Sequence, residues 1–316
     1  MPERSLPNAS PYHVPVLVEE VMAALRPERG GLFLDGTLGG GGHSEALLER
    51  APEARVVGVD RDPEALAEAS ARLARFGDRF RAVRSNFADA VAAAGVEPGT
   101  LVGALLDLGI SSHQIDVDAR GFTFRAGAPL DMRMSGGAGG EPSAAELLNT
   151  AAEEELADVF YRFGEERRSR KLARILVEMR ERAPIETSDQ LLEAIGRTLG
   201  PRSDAGDRAR IFQALRIAVN GEIEALEKAL TEIRDALAPG GVLAVLSYHS
   251  LEDRLVKNAF RDWSTACTCP PRMPVCACGG VALGETLTRK PVSASQDEVE
   301  ANPRARSAHL RAWRRA

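Results

Sequence analysis

Short runs of apolar residues recur through the first third of the chain and are separated by amphipathic segments. The runs at 32–34, 56–59, 80–83 and 101–106 have the length and residue types of buried strands. The segments between them carry helix signals, such as Pro63, which suits the first turn of a helix. Strands that alternate with helices indicate βαβ units, so the pattern predicts an α/β fold with a parallel sheet.

The pattern changes in the middle of the chain. From 136 to 200 the apolar spacing predicts helices and no strand. A single long helix is predicted over 209–237, followed by a turn at Pro239 and a fifth strand at 242–246. Three Ser/Thr-x-x-Glu/Gln signatures are typical of helix N-termini: Ser143–Glu146, Thr150–Glu153 and Thr187–Gln190.

These patterns predict one α/β domain in two parts, 1–135 and 207–316, with an all-helical insertion at 136–206. The composition fits an ordinary globular protein, with 44% hydrophobic and 27% charged residues among 316. The apolar runs are too short to cross a bilayer, and no charged start precedes an apolar block as in a signal peptide. We therefore expect a cytoplasmic protein.

A glycine-rich turn follows the first strand, in the segment Asp35-Gly-Thr-Leu-Gly-Gly-Gly-Gly-His43. Glycine there allows the backbone to approach a ligand closely. Asp60 ends the second strand and Asp107 ends the fourth. Three acids at strand ends suit a cationic cofactor such as S-adenosylmethionine better than the pyrophosphate of a dinucleotide. The alternative is a tight turn that needs glycine for its own geometry, beside a solvent-facing Asp.

Four cysteines lie within twelve residues, which in a chain without an export signal argues against a disulfide framework. The four thiolates, which could hold a structural zinc ion, are Cys267, Cys269, Cys276 and Cys278. Their C-x-C spacing is not the usual C-x₂-C of zinc sites. The neighbouring prolines could shape this loop without a metal.

The net charge of −6 does not by itself indicate a nucleic-acid partner, but the charges are unevenly distributed. Residues 301–316 contain five arginines and no acid. A second basic group has helical spacing and consists of Arg167, Arg170, Lys171 and Arg174. Both groups could contact RNA phosphates, and a solvated face is the alternative for each.

Several long motifs resemble those of the bacterial 16S rRNA (cytosine-N4)-methyltransferase family, RsmH/MraW, and the likeness runs nearly from end to end. The motifs are His13–Leu17, Asp35–Ser44, Val59–Pro63, Asp107–Gln114, Arg120–Phe124, Leu130–Met134, Phe212–Ile217, Ser247–Arg254 and Asn302–Ala308. Two stretches depart from the family pattern, Gly206–Arg210 and the Tyr248 of Ser247-Tyr-His-Ser250.

The resemblance implies a class I S-adenosylmethionine-dependent methyltransferase fold, Rossmann-like, in which the inserted domain recognises substrate. It implies methylation of cytidine 1402 in the 16S rRNA of the small ribosomal subunit. By the same likeness, the methyl donor is expected to contact Gly41, Gly42, His43, Asp60, Phe87, Asp107 and Gln114. Asp35 is added to these donor contacts from its place at the end of the first strand.

For the transfer itself, Asp107 is predicted to orient the target amine, with Ser111 or Ser112 as an auxiliary hydrogen-bonding group. A base taken out of an RNA stack must be held between apolar groups, for which Phe124 and Tyr248 are candidates. Core packing is the alternative for the phenylalanine. The further residues predicted to contact substrate are Asp131, Arg133, Arg170 and Arg174.

Three other functions compete with this one. The protein could methylate another nucleic acid or a protein, although the chain lacks the Pro-Pro-aromatic element typical of DNA amino-methyltransferases. It could be a non-catalytic RNA-binding assembly factor, which the intact acids of the donor site disfavour. It could also be a dinucleotide oxidoreductase, which the same acids disfavour.

Overall fold

The computed structural model describes residues 15–200, 203–267, 269 and 280–316. The contacts within it divide the chain into two compact units. Unit 1 comprises the residues up to Gly109 and those from Glu224 onward, and unit 2 is Ile110–Ile223. Within the described residues, none of the helices is both long and apolar enough to span a membrane.

Unit 1 is built on one eight-stranded sheet with the order β3-β2-β1-β4-β5-β8-β6, and β7 pairs with β8. The first five strands are parallel, and β8 runs antiparallel to β5, β6 and β7. The strands β1 to β8 are Gly31–Asp35, Ala54–Asp60, Phe80–Arg84, Leu101–Asp107, Leu237–Ser247, Gly284–Thr286, Val292–Ser293 and His309–Arg315.

The helices of unit 1 cover both faces of this sheet, and those of unit 2 pack on one another. In chain order, α1 to α13 are Val18–Leu25, Gly42–Arg50, Pro63–Leu73, Ala90–Ala93, Ser112–Asp116, Ala144–Thr150, Glu153–Arg162, Ser169–Arg180, Ser188–Leu199, Ala205–Asn220, Glu222–Ala236, Ser250–Trp263 and Gln296–Ala301. The predicted Rossmann-like fold with a helical insertion is confirmed.

Alternation along the strands produces the two layers of the core. Phe33 packs with α1 and α2 on one face, whereas its neighbour Leu34 packs with α11 and α12 on the other. The second face is closed by Trp313 of β8, which is fully buried against Phe260 and Trp263. The sheet therefore brings the carboxyl ends of β1 and β4 side by side at the point where the strand order reverses.

The predicted helix over 209–237 is wrong, because the chain forms two helices there. Gly221 adopts a left-handed backbone (φ 60°) and ends α10, and α11 begins at the next residue. The predicted signature at Thr150 is also wrong: Thr150 is the last residue of α6 and its hydroxyl donates to the carbonyl of Glu146. The capping boxes at Ser143 and Thr187 are present as predicted.

Unit 2 is wider than the predicted insertion at 136–206. The segment before it joins this unit because Leu130 N–H donates to Glu186 O and the Pro129–Thr187 pair forms a β-bridge. At the other end, Asn220 of α10 accepts from Met134 N–H at 2.9 Å and donates to Met132 O at 2.8 Å. These hydrogen bonds join the flanking segments to unit 2, and local apolar spacing does not encode them.

Gly121 offers a test of how unit 2 is packed. A Cβ at Gly121 would lie 2.5 Å from the backbone atoms of Asp131 and Pro129, whereas a Cβ at Gly127, which has the same φ of +75°, would meet nothing within 4 Å. Gly127→Ala should lower the free energy of unfolding by about 1–2 kcal/mol through the left-handed backbone alone. Gly121→Ala should lower it by a further ~1–3 kcal/mol because of the overlap. Urea unfolding of both variants measures the difference, and equal losses would contradict this packing.

Candidate active site

The glycine-rich turn is fixed to the ends of three strands by backbone and carboxylate hydrogen bonds. Gly36 N–H donates to Leu105 O, and Leu38 N–H donates to Val59 O. The carboxylate of Asp60 accepts from Gly39 N–H at 2.8 Å and from Asp62 N–H at 2.9 Å. The turn is thus preorganised by β1, β2 and β4 before any ligand binds.

The glycines of this turn serve two different purposes. A Cβ at Gly41 (φ +78°) would lie 3.1 Å from Leu73, and one at Gly42 would lie 2.8 Å from Pro15. These glycines therefore allow close packing of protein on protein, and contact of their backbone with a methyl donor stays a prediction. Gly39 (φ +49°) has only its own turn within 4 Å, so its outward face is open.

Asp107, at the end of β4, lies between two side chains that sequence reasoning did not connect with it. The hydroxyl of Tyr248 donates to Asp107 Oδ1 at 2.8 Å. His43 Nδ1 lies 3.6 Å from Asp107 Oδ2. The backbone N–H of Asp107 donates to Thr37 Oγ1 at 2.5 Å, which ties this acid to the glycine-rich turn. We call Tyr248, Asp107 and His43 the central triplet.

The protonation of His43 follows from its second contact. Its Nε2 lies 2.9 Å from Val16 O, and a carbonyl can only accept, so Nε2 carries the hydrogen. Burial lowers the pKa of His43, so the ring is neutral and its Nδ1 lone pair faces Asp107. The N–H of the same peptide, at Leu17, donates to Glu298 Oε1 at 2.7 Å. Glu298 therefore helps to hold the peptide that orients His43.

Burial also decides the charge of the acids. It raises the pKa of Asp107 to about 7, although the hydrogen bond from Tyr248 lowers it. Burial raises the pKa of Asp35 to about 6, against the lowering effect of the Ser44 hydroxyl, which donates at 2.7 Å. A carboxyl group with a pKa near neutrality can both accept and release a proton at working pH.

The other acids predicted to contact the donor have structural partners as well. Asp35 is 5% exposed, and its carboxylate accepts from Ser44 and from Thr37 N–H. Asp60 is half-buried, and burial raises its pKa. Phe87 is half-buried directly after β3. Direct contact of these residues with a donor stays a prediction.

In unit 2, Ser111 and Gln114 form a capping box at the start of α5. Gln114 N–H donates to Ser111 Oγ at 3.2 Å, and Ser111 N–H donates to Gln114 Oε1 at 3.0 Å. The Gln114 amide also donates to Met134 O, and the side chain is 6% exposed. Gln114 therefore braces its own unit, while Ser112, the first residue of α5, is half-buried.

Of the residues predicted to contact the target nucleotide, Tyr248 lies in unit 1, whereas Phe124, Asp131 and Arg133 lie in unit 2. Phe124 is 45% exposed and packs edge-to-face on Phe212 at 5.4 Å, so it is only partly a core residue. Asp131 and Arg133 form a bidentate ion pair with each other. Between them, Met132 is buried with a left-handed φ of 61°. Their contact with substrate stays a prediction.

The two basic groups fare differently. Arg170 and Arg174 are exposed on α8 and, within the part of the chain that the structure describes, their guanidinium groups make no ion pair. Arg167 precedes this helix. Lys171 donates to the carbonyls of Arg197 and Thr198 at the end of α9.

The predicted C-terminal basic footprint is corrected in part, because three of its five arginines have partners within the protein and two of them, Arg311 and Arg315, hold the fold. Arg311 is buried in a bidentate pair with Asp253 at 2.7 and 2.9 Å. Arg314 pairs with Glu285 across the sheet edge. Arg315 donates to three carbonyls where α11 passes into β5.

The cysteine group lies only partly within the described residues. Cys267 is exposed and Cys269 is half-buried. Cys276 and Cys278 lie outside the residues that the structure describes. The zinc hypothesis therefore stays a prediction.

Comparison with known proteins identifies the family. The model of the MraW methylase family matches residues 10–316. The chain belongs to the MraW methylase family. A relative from Gemmatimonas aurantiaca, named ribosomal RNA small subunit methyltransferase H, is 55% identical over 319 residues, which cover 100% of this chain and 99% of the relative. One with the same name from Trichlorobacter lovleyi is 50% identical over 307 residues, 95% of this chain and 97% of the relative.

Among solved structures, an rRNA methylase from Streptococcus thermophilus is 10% identical, with a TM-score of 0.43, and the match covers 96% of this chain and 98% of that one. Membership of the MraW methylase family makes this protein a methyltransferase and confirms the resemblance predicted from the motifs.

Sequence reasoning found Asp107 and His43 but missed Glu298 and Thr37. Glu298 and Thr37 each accept a hydrogen bond from a backbone N–H that is distant in sequence, so residue spacing does not reveal them.

Tyr248→Phe tests the central triplet. The hydrogen bond from Tyr248 lowers the pKa of Asp107, so its removal should raise that pKa. If Asp107 must be ionised, the acidic limb of the methyl-transfer rate should move to higher pH, with activity lost near neutrality and recovered in base. Rates measured across the pH range check this. Tyr161→Phe, at a tyrosine that is 63% exposed, is the control and should leave the profile in place. An unchanged limb in Tyr248→Phe would contradict the coupling.

Proposed function

We propose that this methyltransferase transfers a methyl group from S-adenosylmethionine to the N4 amino group of cytidine 1402 in 16S rRNA. One observation carries the proposal: Asp107 is held at the switch point of the sheet by Tyr248, faces the neutral His43, and has a pKa of about 7. Relatives that share about half of its residues along their whole length are named for ribosomal RNA of the small subunit, which supports the substrate class. Such a substrate makes the cytoplasm its place of action.

The residues at the carboxyl ends of β1, β2 and β4 fit this donor. Gly39 leaves the turn open on its outer face, and Asp60 can accept hydrogen bonds from ribose hydroxyls through its remaining lone pairs. Phe87 follows β3, where a ring can pack on adenine. The acids suit a cation and would repel a pyrophosphate. When bound, S-adenosylmethionine supplies an electrophilic methyl group on a sulfonium.

Asp107 performs the proton chemistry. An exocyclic amine of cytosine is a weak nucleophile because its lone pair is delocalised into the ring. The ionised carboxylate of Asp107 accepts a hydrogen bond from an amino hydrogen and so orients the nitrogen. The nitrogen that gains a methyl group must lose a proton, and a carboxylate with a pKa of about 7 can take it. The hydrogen bond from Tyr248 fixes Oδ1 of this carboxylate for the role, and His43 lies beside Oδ2.

Unit 2 supplies the contacts to RNA in this proposal. Phe124 is exposed enough to stack on a splayed base, and Arg170 and Arg174 present two guanidinium groups from one face of α8. Asp131 and Arg133 would hydrogen-bond the target nucleotide. A different RNA, a DNA or a protein as substrate is an outcome that the following experiment distinguishes.

The direct test incubates the protein with labelled methyl donor and small ribosomal subunits that lack the modification. Nuclease digestion and mass spectrometry then locate the labelled nucleotide. We expect one label, on N4 of cytidine 1402. Label on another base, or transfer only to protein, would refute the proposed target while leaving the methyltransferase assignment intact.

Asp107→Asn and Asp107→Ala test the role of the carboxylate. Both should lower turnover at saturating donor by roughly 10²–10⁴-fold, because general-base catalysis is lost. Calorimetry with S-adenosylmethionine separates this effect from donor binding, and Asp262→Asn, at an exposed acid, is the matched control. Near-normal turnover in Asp107→Ala would overturn the role.

A further inference from the structure

A basic cleft in unit 1 lies beside the central triplet, and apart from Tyr248 its side chains take no part in the chemistry described above. It has a volume of about 590 Å³. Its lining residues come from the first two turns of α12, the segment before that helix, and the start of β8 with the turn preceding it: Tyr248, His249, Ser250, Asp253, Arg254, Lys257, Ser307 and His309. We call this the α12 cleft.

The side chains of the α12 cleft favour an anion. Ser250, Arg254 and Lys257 are spaced i, i+4, i+7 and so share one face of the helix, and both cations are exposed. The acid of the cleft, Asp253, is paired with the buried guanidinium of Arg311, which lowers its pKa together with the weaker effects of His309 and Lys257. The positive charge of the lining therefore exceeds its negative charge.

Hydrogen-bond donors of the α12 cleft suit a tetrahedral oxyanion. Ser250 and Ser307 contribute hydroxyl groups, and Ser250 is the first residue of a 14-residue helix whose N-terminal dipole favours negative charge. Arg254 and Lys257 contribute charged donors one turn apart. A phosphate group can accept from all of these donors at once, whereas a metal cation would be repelled.

Tyr248 connects the α12 cleft with the reacting centre. It lines the cleft, and its hydroxyl also donates to Asp107. An anion bound there lies next to the residue that orients the catalytic carboxylate. We propose that the α12 cleft binds a backbone phosphodiester of the RNA strand adjacent to the target nucleotide. This inference rests on the proposed function, in that the anion is taken to be part of an RNA substrate.

The test measures RNA affinity without methyl donor at several salt concentrations for wild type, Lys257→Glu, Arg254→Glu and the milder Lys257→Gln. The RNA is a fragment of the small-subunit decoding region. Loss of one phosphate contact should reduce the slope of log affinity against log salt by ~1 and weaken binding about tenfold for any RNA sequence. Calorimetry with S-adenosylmethionine should show unchanged donor affinity.

The matched control is Arg55→Glu, because Arg55 is exposed near the amino end of β2. This is the end of the parallel strands opposite to the one at which the central triplet lies. The Arg55→Glu variant should keep the wild-type slope. Wild-type slope and affinity in the Lys257 and Arg254 variants would overturn the inference. Binding of inorganic phosphate to the cleft without any loss of RNA affinity would also overturn it, because the cleft would then bind a free anion only. Labelled methyl transfer by wild type reports separately on the proposed function, so failure of one is distinguishable from failure of the other.

Discussion

The hydrogen bond from Tyr248 to Asp107 is the interaction on which the rest of the site depends. It joins β4 to the segment that follows β5, and it fixes one oxygen of a buried acid whose other oxygen faces the His43 lone pair. The hydrogen bond from the Tyr248 hydroxyl sets the orientation of this buried carboxyl group. The α/β sheet brings these three residues together by placing β4 between β1 and β5.

The same sheet explains why the fold was predictable. The runs that became β1 to β4 were found from apolar spacing because buried parallel strands are nearly continuous in hydrophobicity. Spacing did not reveal β6 and β7, which are only 3 and 2 residues long, or β8, in which three arginines are mixed with apolar residues. It also joined α10 and α11 into one helix, because the single glycine between them interrupts neither apolar stripe. Turn geometry rather than composition decides such boundaries.

The site was predictable where its residues share a motif, and it was unpredictable where the hydrogen-bonding partners are distant in sequence. Asp107, His43 and Asp60 stand out as strand-end or turn residues. Glu298 does not, since it acts 281 residues away on the peptide that orients His43. The C-terminal arginines show the opposite error: their charge suggests RNA, yet Arg311 is 6% exposed and holds Asp253. The charge of a residue predicts a surface role only when its strand exposes the side chain to solvent.

The most direct test of the central claim is the pKa of Asp107 in the folded protein. Carboxyl ¹³C NMR, with Asp107→Asn to assign the resonance, measures it without any substrate. The hydrogen bonding and burial described here predict a midpoint of about 7. A midpoint near the ordinary value of 3.8 would show a solvated carboxylate and would contradict the account.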